Sequence, residues 1–237
     1  MQIIIPLAGK GIRFKEKYKE PKPLIDIFGK PMILRAVESF DKNSNFFFIL
    51  KEGRYASSII NLLKKNFKKS KFITTKKYTS GPASTVLLSK NLIDMNKELI
   101  IANCDQYIKW NYKDFIRRKK TKPNDGIVVT YTTNVKHNSY AKVNKNEVIL
   151  IREKEFISKY SLNGVHYWRK ANFFFNSVQD MIKSKDKAPN GEYYIAPSYN
   201  YMIKKGLSVG YFHLKPKTHF SLGNIKDLNY FLKNEKI

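Results

Sequence analysis

Residues 3–13 read Ile3-Ile4-Ile5-Pro6-Leu7-Ala8-Gly9-Lys10-Gly11-Ile12-Arg13, and Pro21-Lys22-Pro23 follows one loop later. Three β-branched residues in a row make the kind of run that fills a buried strand. Two glycines close behind it let the backbone turn sharply and approach a ligand with no Cβ in the way. Arg13 and Lys22 bring two permanent cations to that turn, where backbone N–H groups are exposed. Glycines after a strand also serve turns that bind nothing, but the paired cations favour a phosphate site. Two familiar phosphate loops are excluded. The P-loop needs Lys-Ser/Thr after its second glycine, and Ile12-Arg13 stand there. The dinucleotide fingerprint needs a third glycine where Phe14 stands. What remains suits the polyphosphate of a nucleoside triphosphate.

Working outward, strands and helices alternate. Leu24 to Ile27 and a tight Phe28-Gly29-Lys30-Pro31 turn lead into a helix through Met32, Ile33, Ala36, Val37 and Phe40, apolar at helical spacing. Phe46–Leu50 reads as a strand, Ser57–Phe67 as a helix, Phe72–Thr74 as a strand and Gly81–Leu92 as a helix. Leu99–Ala102 is a buried strand ending on Asn103-Cys104-Asp105-Gln106. Strands joined by helical crossovers imply a mostly parallel sheet with helices on both faces. The second half changes character. Strands are expected at 127–133, 140–143, 148–152 and 164–168, with helices at 171–182, 193–204 and 225–232. No Pro-, Gly- or Ser-rich linker separates the halves. The expectation is one domain over 1–237, with a nucleotide-binding half to about residue 125 and an acceptor-binding half from about 126. In open sheets of this type the ligand crevice lies at the carboxyl ends of the strands. That rule brings together the loops at 7–13, 78–84 and 103–106.

The chain of 237 residues is long enough for a substantial core, and 42% hydrophobic and 14% aromatic content exclude a disordered chain. A single cysteine, Cys104, excludes a disulfide framework and points to a reducing cytoplasm. No stretch reaches the length of a membrane span. Net charge is +26, from 45 Lys and Arg against 19 Asp and Glu, which favours anionic partners. The lysines scatter along the whole chain, so runs such as Arg117-Arg118-Lys119-Lys120 read as solvated faces rather than a nucleic-acid patch. A basic nucleic-acid-binding module is the non-enzyme alternative, and it leaves the ordered glycine and lysine motifs unexplained.

Asp105 ends a buried strand, where a carboxylate needs a partner. It could cap the following turn, but beside a phosphate loop Mg²⁺ is the natural companion for a hard oxygen ligand. No Ser-His-Asp or Cys-His arrangement is visible. The histidines at 137, 166, 213 and 219 lack metal-ligand spacing and read as ordinary turn or strand residues.

The ordered set Pro6-Leu7-Ala8-Gly9-x-Gly11-x-Arg13-Phe14, Pro21-Lys22-Pro23-Leu24 and Gly29-Lys30-Pro31-Met32 resembles the opening of the sugar-phosphate nucleotidyltransferases, or nucleotide-sugar pyrophosphorylases, of the small capsule-pathway type. Gly81-Pro82-Ala83, Asn103-x-Asp105-Gln106, Glu153-Lys154, Gly164-x-His166-Tyr167-Trp168, Gly191-Glu192-Tyr193-Tyr194 and Leu222-Gly223 before Asp227-Leu228 follow in the same order, so the likeness spans essentially the whole chain. It implies a nucleotide-diphospho-sugar transferase-like, Rossmann-like fold: a mixed, mostly parallel sheet flanked by helices. It implies a Mg²⁺-dependent enzyme that joins a nucleoside triphosphate to a phosphorylated acceptor, a sugar 1-phosphate above all, releasing pyrophosphate for surface polysaccharide synthesis.

The implied roles follow. Leu7, Ala8, Gly9, Lys10 and Gly11 would cradle the triphosphate, with Asn103 beside them, and Arg13 would hold the leaving pyrophosphate. Lys22 would sit on the α-phosphate and the incoming phosphate. Gly81, Pro82 and Ala83 would lie against the base, and Asp105 would bind Mg²⁺. Glu153, Lys154, Gly164 and Glu192 would contact the acceptor. The chain departs from the family at Ser221, which stands where many members carry a second metal-binding Asp. It also lacks the longer Gln-containing loop near Lys77 to Ser84 that thymidylyl and uridylyl enzymes use. The compact size also resembles the cytidylyl members, so cytidylyl transfer to a non-sugar phosphate, phosphocholine- or phosphoglutamine-like, is an alternative. So is a glycosyltransferase of the same fold, although only Asp105 is acidic where those enzymes present Asp-x-Asp. The likeness leaves oligomerisation open.

Overall fold

The computed structural model describes residues 1–236. In chain order the strands are β1 (Gln2–Leu7), β2 (Asp26–Ile27), β3 (Lys30–Pro31), β4 (Asn45–Lys51), β5 (Ser70–Thr75), β6 (Leu99–Ala102), β7 (Gln106–Ile108), β8 (Gly126–Thr132), β9 (Tyr140–Asn144), β10 (Glu147–Arg152), β11 (Tyr160–Trp168), β12 (Val209–His213) and β13 (His219–Ser221). The α-helices are α1 (Met32–Val37), α2 (Ala56–Asn66), α3 (Pro82–Leu87), α4 (Tyr112–Thr121), α5 (Ala171–Lys183), α6 (Ser198–Lys204) and α7 (Ile225–Asn234).

The triple-isoleucine run becomes the centre of the sheet. Successive side chains of a strand point to opposite faces. Ile4 therefore packs against the layer of α3, α5 and α6, whereas Ile3, Ile5 and Leu7 pack against α1, α2 and α4. A strand covered on both faces needs an unbroken apolar run rather than an alternating one. Each of Ile3, Ile4 and Ile5 is fully buried, which stabilises the fold by about 1.5–3 kcal/mol per side chain. β1 pairs in parallel with β4 and β6, and β4 in parallel with β5. On the far side β11 runs antiparallel to β6. Beyond it lie β8, antiparallel to β11, and β12, parallel to β8, while the β9–β10 hairpin continues from the start of β11. The result is a single-domain, mixed, mostly parallel sheet with helices on both faces.

A third, smaller core ties the chain ends together. Phe14, three residues beyond Gly11, packs with Ile25, Ile27 and Met32 of the β2–β3 region and with Leu222, Leu228 and Phe231. α7 is closed at its start by Asn224, whose side chain accepts from the Asp227 amide at 2.9 Å. The position that fails the dinucleotide fingerprint is thus an apolar anchor for the glycine loop.

Several elements differ from expectation. The helix expected over 193–204 begins only at Ser198, because the Tyr193 backbone is already engaged: its N–H donates to the Ser80 carbonyl at 2.7 Å, and its carbonyl accepts from Ala83 at 3.0 Å. The helix expected over 81–92 stops at Leu87 and resumes as a single 3₁₀ turn at Lys90–Leu92, after i to i−3 bonds at Leu88 and Ser89. β11 starts four residues earlier than expected. α4 holds the basic run at 117–120, of which only Arg117 and Lys120 are exposed. Lys119 is ion-paired with Glu98, and Arg118 donates to Asn124 Oδ1 at 3.1 Å. That half of the run is structural, not solvated. Among the described residues no helix is long and apolar enough to cross a membrane.

Candidate active site

A cleft of about 590 Å³ opens at the carboxyl ends of β1, β4 and β6, where a parallel sheet leaves its ligand crevice. One wall is the turn Leu7–Gly11, another is Gly53-Arg54-Tyr55 after β4, and a third is Asn103–Asp105 after β6. Gly11 has φ +60°, in the left-handed region, and starts the short 3₁₀ turn that carries Arg13. Gly9 differs. Its φ is not positive, and a Cβ there would meet nothing within 4 Å. Nothing inside the chain requires a glycine at position 9, so the free space belongs to the cleft. The ammonium groups of Lys10 and Lys51 lie 5.5 and 5.3 Å from the Tyr78 ring centre, and they line the same cleft.

Behind the cleft is a second cavity of about 740 Å³. The two share Pro82, Asn103 and Asp105. At this seam the Lys22 ammonium group is ion-paired with Asp105 Oδ2, both side chains largely shielded from solvent. Lys22 also lies 5.3 Å from the centre of the Phe14 ring, so the small C-terminal core positions it. The Asp105 carbonyl accepts from Leu222 N at 2.8 Å. A Cβ on Gly223 would stand 3.2 Å from Asp105 Oδ2 and 3.5 Å from Ser221 Oγ. Ser221 therefore occupies the space beside Asp105 where a second carboxylate is expected, and the neighbouring acid, Asp227, lines the second cavity.

Glu153 accepts from Ser139 Oγ, and burial raises its carboxyl pKa above the usual carboxylate range, the serine contact and nearby Lys154 opposing. Lys154, at φ +59°, donates to Tyr194 OH at 2.8 Å. Gln106 is 2% exposed, Asn163 4% and His166 4%. Both amide atoms of Gln106, Nδ2 of Asn163, Nδ1 of His166 and Nδ1 of His219 are buried with no hydrogen-bond partner among the described residues. Burial pushes His166 down to about 3 and His219 down to about 4, so both rings are neutral near neutral pH. Cys104 is no nucleophile: burial, with Asp105 beside it, pushes its thiol up to about 12.

Of the residues expected at a nucleotide, Leu7, Ala8, Gly9, Lys10, Gly11, Lys22, Gly81, Pro82, Asn103 and Asp105 line the first cleft. Two do not. Arg13 is exposed and lines the second cavity, because the 3₁₀ turn that buries Phe14 sends its neighbour to the Asp105 side. Ala83 is fully buried and lines neither cavity. Glu153, Lys154 and Gly164, expected at the acceptor, line the second cavity, whereas Glu192 lines the first. Glu192 sits behind Gly81, its Cβ 3.0 Å from where a Cβ on Gly81 would be. Gly81 has φ +116°, and that Cβ would fall 2.6 Å from the Tyr193 carbonyl oxygen, so its own chain, not a base, forbids a side chain there. Gly164 likewise, at φ +89°, would drive a Cβ into the Asn103 side chain at 2.2 Å.

The polar floor of the second cavity escaped the sequence reading. His166 and His219 read as ordinary strand residues and Gln106 passed as part of a loop. The available signal was polarity out of place: His166 interrupts an apolar strand, and Gln106 follows Asp105 directly. His213 fits the ordinary reading, its ring nitrogens 3.0 and 3.1 Å from the hydroxyls of Thr130 and Thr132.

A family model described as nucleotidyl transferase matches residues 4–233. Among solved structures, the nucleoside-diphosphate-sugar pyrophosphorylase of Vibrio cholerae RC9 superimposes with a TM-score of 0.87 at 24% identity, covering 98% of this chain and 100% of that one. A candidate glucose-1-phosphate thymidylyltransferase from Bacillus anthracis gives 0.78 at 17% identity, over 100% and 96% of the two chains. The inositol-1-phosphate CTP transferase of T. maritima gives 0.75 at 16%, over 98% and 94%. At these identities the likeness is one of fold. No curated protein sequence matches the chain significantly.

Proposed function

The chain belongs to the nucleotidyl transferase family, and from that premise we propose that it binds a nucleoside triphosphate in the first cleft and a sugar 1-phosphate in the second cavity. An acceptor phosphate oxygen attacks the α-phosphorus, the bond from that phosphorus to the bridging oxygen breaks, and pyrophosphate leaves. The product is a nucleotide-linked sugar, made in the cytoplasm for a surface polysaccharide, as the resemblance implies. The halves of the chain divide this work, residues to about 125 serving the nucleotide and those from about 126 the acceptor.

The observation that carries this reading is the seam. Two cavities of substrate size meet at Asp105, and Lys22 is paired with it there. Two polyanions must approach each other for this reaction, so positioned positive charge is the main requirement, and no protein nucleophile is needed. Lys22 lies where it can hold both the α-phosphate and the attacking phosphate. Arg13, exposed at the second cavity, would offer its guanidinium fork to the incoming phosphate as well as the leaving group. The attacking phosphate is ionised at neutral pH and asks no base of the protein.

The donors at the seam fit Mg²⁺ bound together with phosphate. One carboxylate, Asp105, is present, with the Ser221 hydroxyl near it, and Mg²⁺ commonly takes one or two carboxylates and keeps waters and phosphate oxygens for the rest. Among the described residues no cluster of three or more His, Cys, Asp or Glu forms a cage for a metal alone. When bound at Asp105, the ion would supply charge neutralisation at the phosphates.

Pyrophosphate release over a matrix of CTP, UTP, GTP and dTTP with phosphorylated acceptors tests the proposal. Release should require both substrates and Mg²⁺, and should disappear in a folded Lys22→Ala variant. Silence across the matrix, or cleavage of a nucleotide sugar without pyrophosphate chemistry, would count against it.

A further inference from the structure

Residues 190–194 cross from one cavity to the other. Glu192 lines the first cleft and Tyr194 the second cavity, and buried Tyr193 between them is fastened by its backbone to Ser80 and Ala83. One amide ties the two outer side chains together. Asn190 Nδ2 donates to Glu192 Oε2 at 3.0 Å and to the Tyr194 hydroxyl at 2.9 Å. From the second cavity the Lys154 ammonium donates to the same hydroxyl at 2.8 Å.

Two features of this arrangement point to a ligand. The first is a count of protons. The Tyr194 oxygen accepts from two groups that can only donate, since an ammonium has no lone pair and an amide NH₂ offers only hydrogens. Neither partner can take the phenol's own proton, which is left for another group in the cavity. The second is the state of Lys154. Its ammonium is half-buried, yet among the described residues no carboxylate forms an ion pair with it. The acids nearest in sequence and in space are engaged elsewhere: Glu153 with Ser139, Glu155 with Arg152 at 3.8 Å, and Glu192 with Asn190. Lys154 also has a backbone φ of +59°, a strained conformation for a lysine, held by its N–H bond to the Asn138 carbonyl at 3.0 Å.

We propose that Tyr194 is a positioning residue of the second cavity: its hydroxyl fixes the Lys154 ammonium without neutralising it, and its remaining proton serves the same anion, the phosphate of the acceptor. This rests on the proposed transferase reading for the identity of that anion. A neutral phenol suits the task. A carboxylate in its place would hold the lysine but cancel its charge, and an aliphatic side chain would leave a long, flexible cation free to wander.

Calorimetric titration tests the proposal with inorganic phosphate, glucose 1-phosphate, myo-inositol 1-phosphate and phosphocholine as probes. The proteins are wild type, Tyr194→Phe, Lys154→Met, the double variant and Tyr194→Glu. At least one probe should bind wild type, and Tyr194→Phe should weaken it roughly tenfold with no change in melting temperature. Lys154→Met should weaken it at least as much. Adding Tyr194→Phe to Lys154→Met should then cost no more than about threefold. A tyrosine with only a structural role would cost the same in both backgrounds. Tyr194→Glu should bind no better than Tyr194→Phe, and it covers the case in which Tyr194→Phe fails to fold. This pattern in a protein that releases no pyrophosphate would leave the inference standing and sink the transferase reading. No binding of any probe, affinity unmoved by Tyr194→Phe or by Lys154→Met, additive losses in the double variant, or wild-type affinity in Tyr194→Glu would overturn the inference itself.

Discussion

The two cavities that meet at Asp105 are built from different materials. The first is walled by loops: the turn Leu7–Gly11, the loop after β4 and the Asn103–Asp105 strand end, with lysines around them. The second is lined by residues of the strands β7, β11 and β13, several with polar side-chain atoms that find no partner among the described residues. Phosphate asks only for N–H groups and positive charge, which any turn followed by a cation can offer. A carbohydrate asks for a particular arrangement of donors and acceptors, and that takes individual side chains held rigidly. On the proposed reading, the contrast would make the first cavity a general device and the second a selective one.

Substitutions at the seam should produce the largest effects, because both cavities depend on it. Asp105→Asn keeps the shape and can still accept from Lys22, so folding should barely change. Turnover should nevertheless fall by on the order of 10³-fold as the metal-binding charge is lost. A stopped assay of pyrophosphate release, with circular dichroism as the folding control, decides it; near-wild-type turnover would remove the seam from the chemistry.

Two glycines sharpen the contrast between what the chain requires and what a ligand requires. Gly81→Ala places a Cβ 2.6 Å from the Tyr193 carbonyl oxygen at φ +116°. It should destabilise the protein by roughly 2–4 kcal/mol in urea unfolding. Gly9→Ala meets nothing within 4 Å. Its stability should stay within about 0.5 kcal/mol of wild type, while the KM for the nucleotide rises by roughly 30-fold as the methyl group enters the phosphate space. If the two variants exchanged these behaviours, the division would be wrong.

The smallest expected effect lies in the second cavity. Folded His166 resists a proton until about pH 3, whereas the unfolded residue has an ordinary value of 6.5. Between those values the unfolded chain binds the extra proton, so acidification favours unfolding by about 1.4 kcal/mol per pH unit for this group. Chemical denaturation from pH 6.5 to 5, above the range where most carboxylates titrate, should show this slope added to a like contribution from His219, which burial lowers to about 4. It should shrink in His166→Phe. An unchanged slope would mean that the ring is protonated in the folded protein.

How much the sequence revealed follows the same division. The Ile3-Ile4-Ile5 run and the glycine turn were legible because each acts within a few residues of its neighbours. The central strands were legible for the same reason: β1, β4 and β6 are continuous apolar runs. α4 was hidden by its basic run at 117–120, where Lys119 finds Glu98 from a distant segment. β7 and β13, each of three residues, were missed because they exist only through pairing with each other. The polar floor was hidden for a related reason. Gln106, Asn163, His166 and His219 are spread over nearly half the chain in sequence, and no local pattern links them. Side chains such as Ala83 and Glu192 sat in matching motifs, yet tertiary packing turned one into the core and the other toward the first cleft.

Pyrophosphate release measured over a full grid of nucleotide and ring-phosphate concentrations, for Gly9→Ala and Gln106→Met side by side, tests this separation most directly. The two variants should move opposite constants: the nucleotide KM in the first and the acceptor KM in the second, each leaving the other within about twofold. If both substitutions shifted the same constant, the molecule would hold one mixed site, and the two-cavity account would fail.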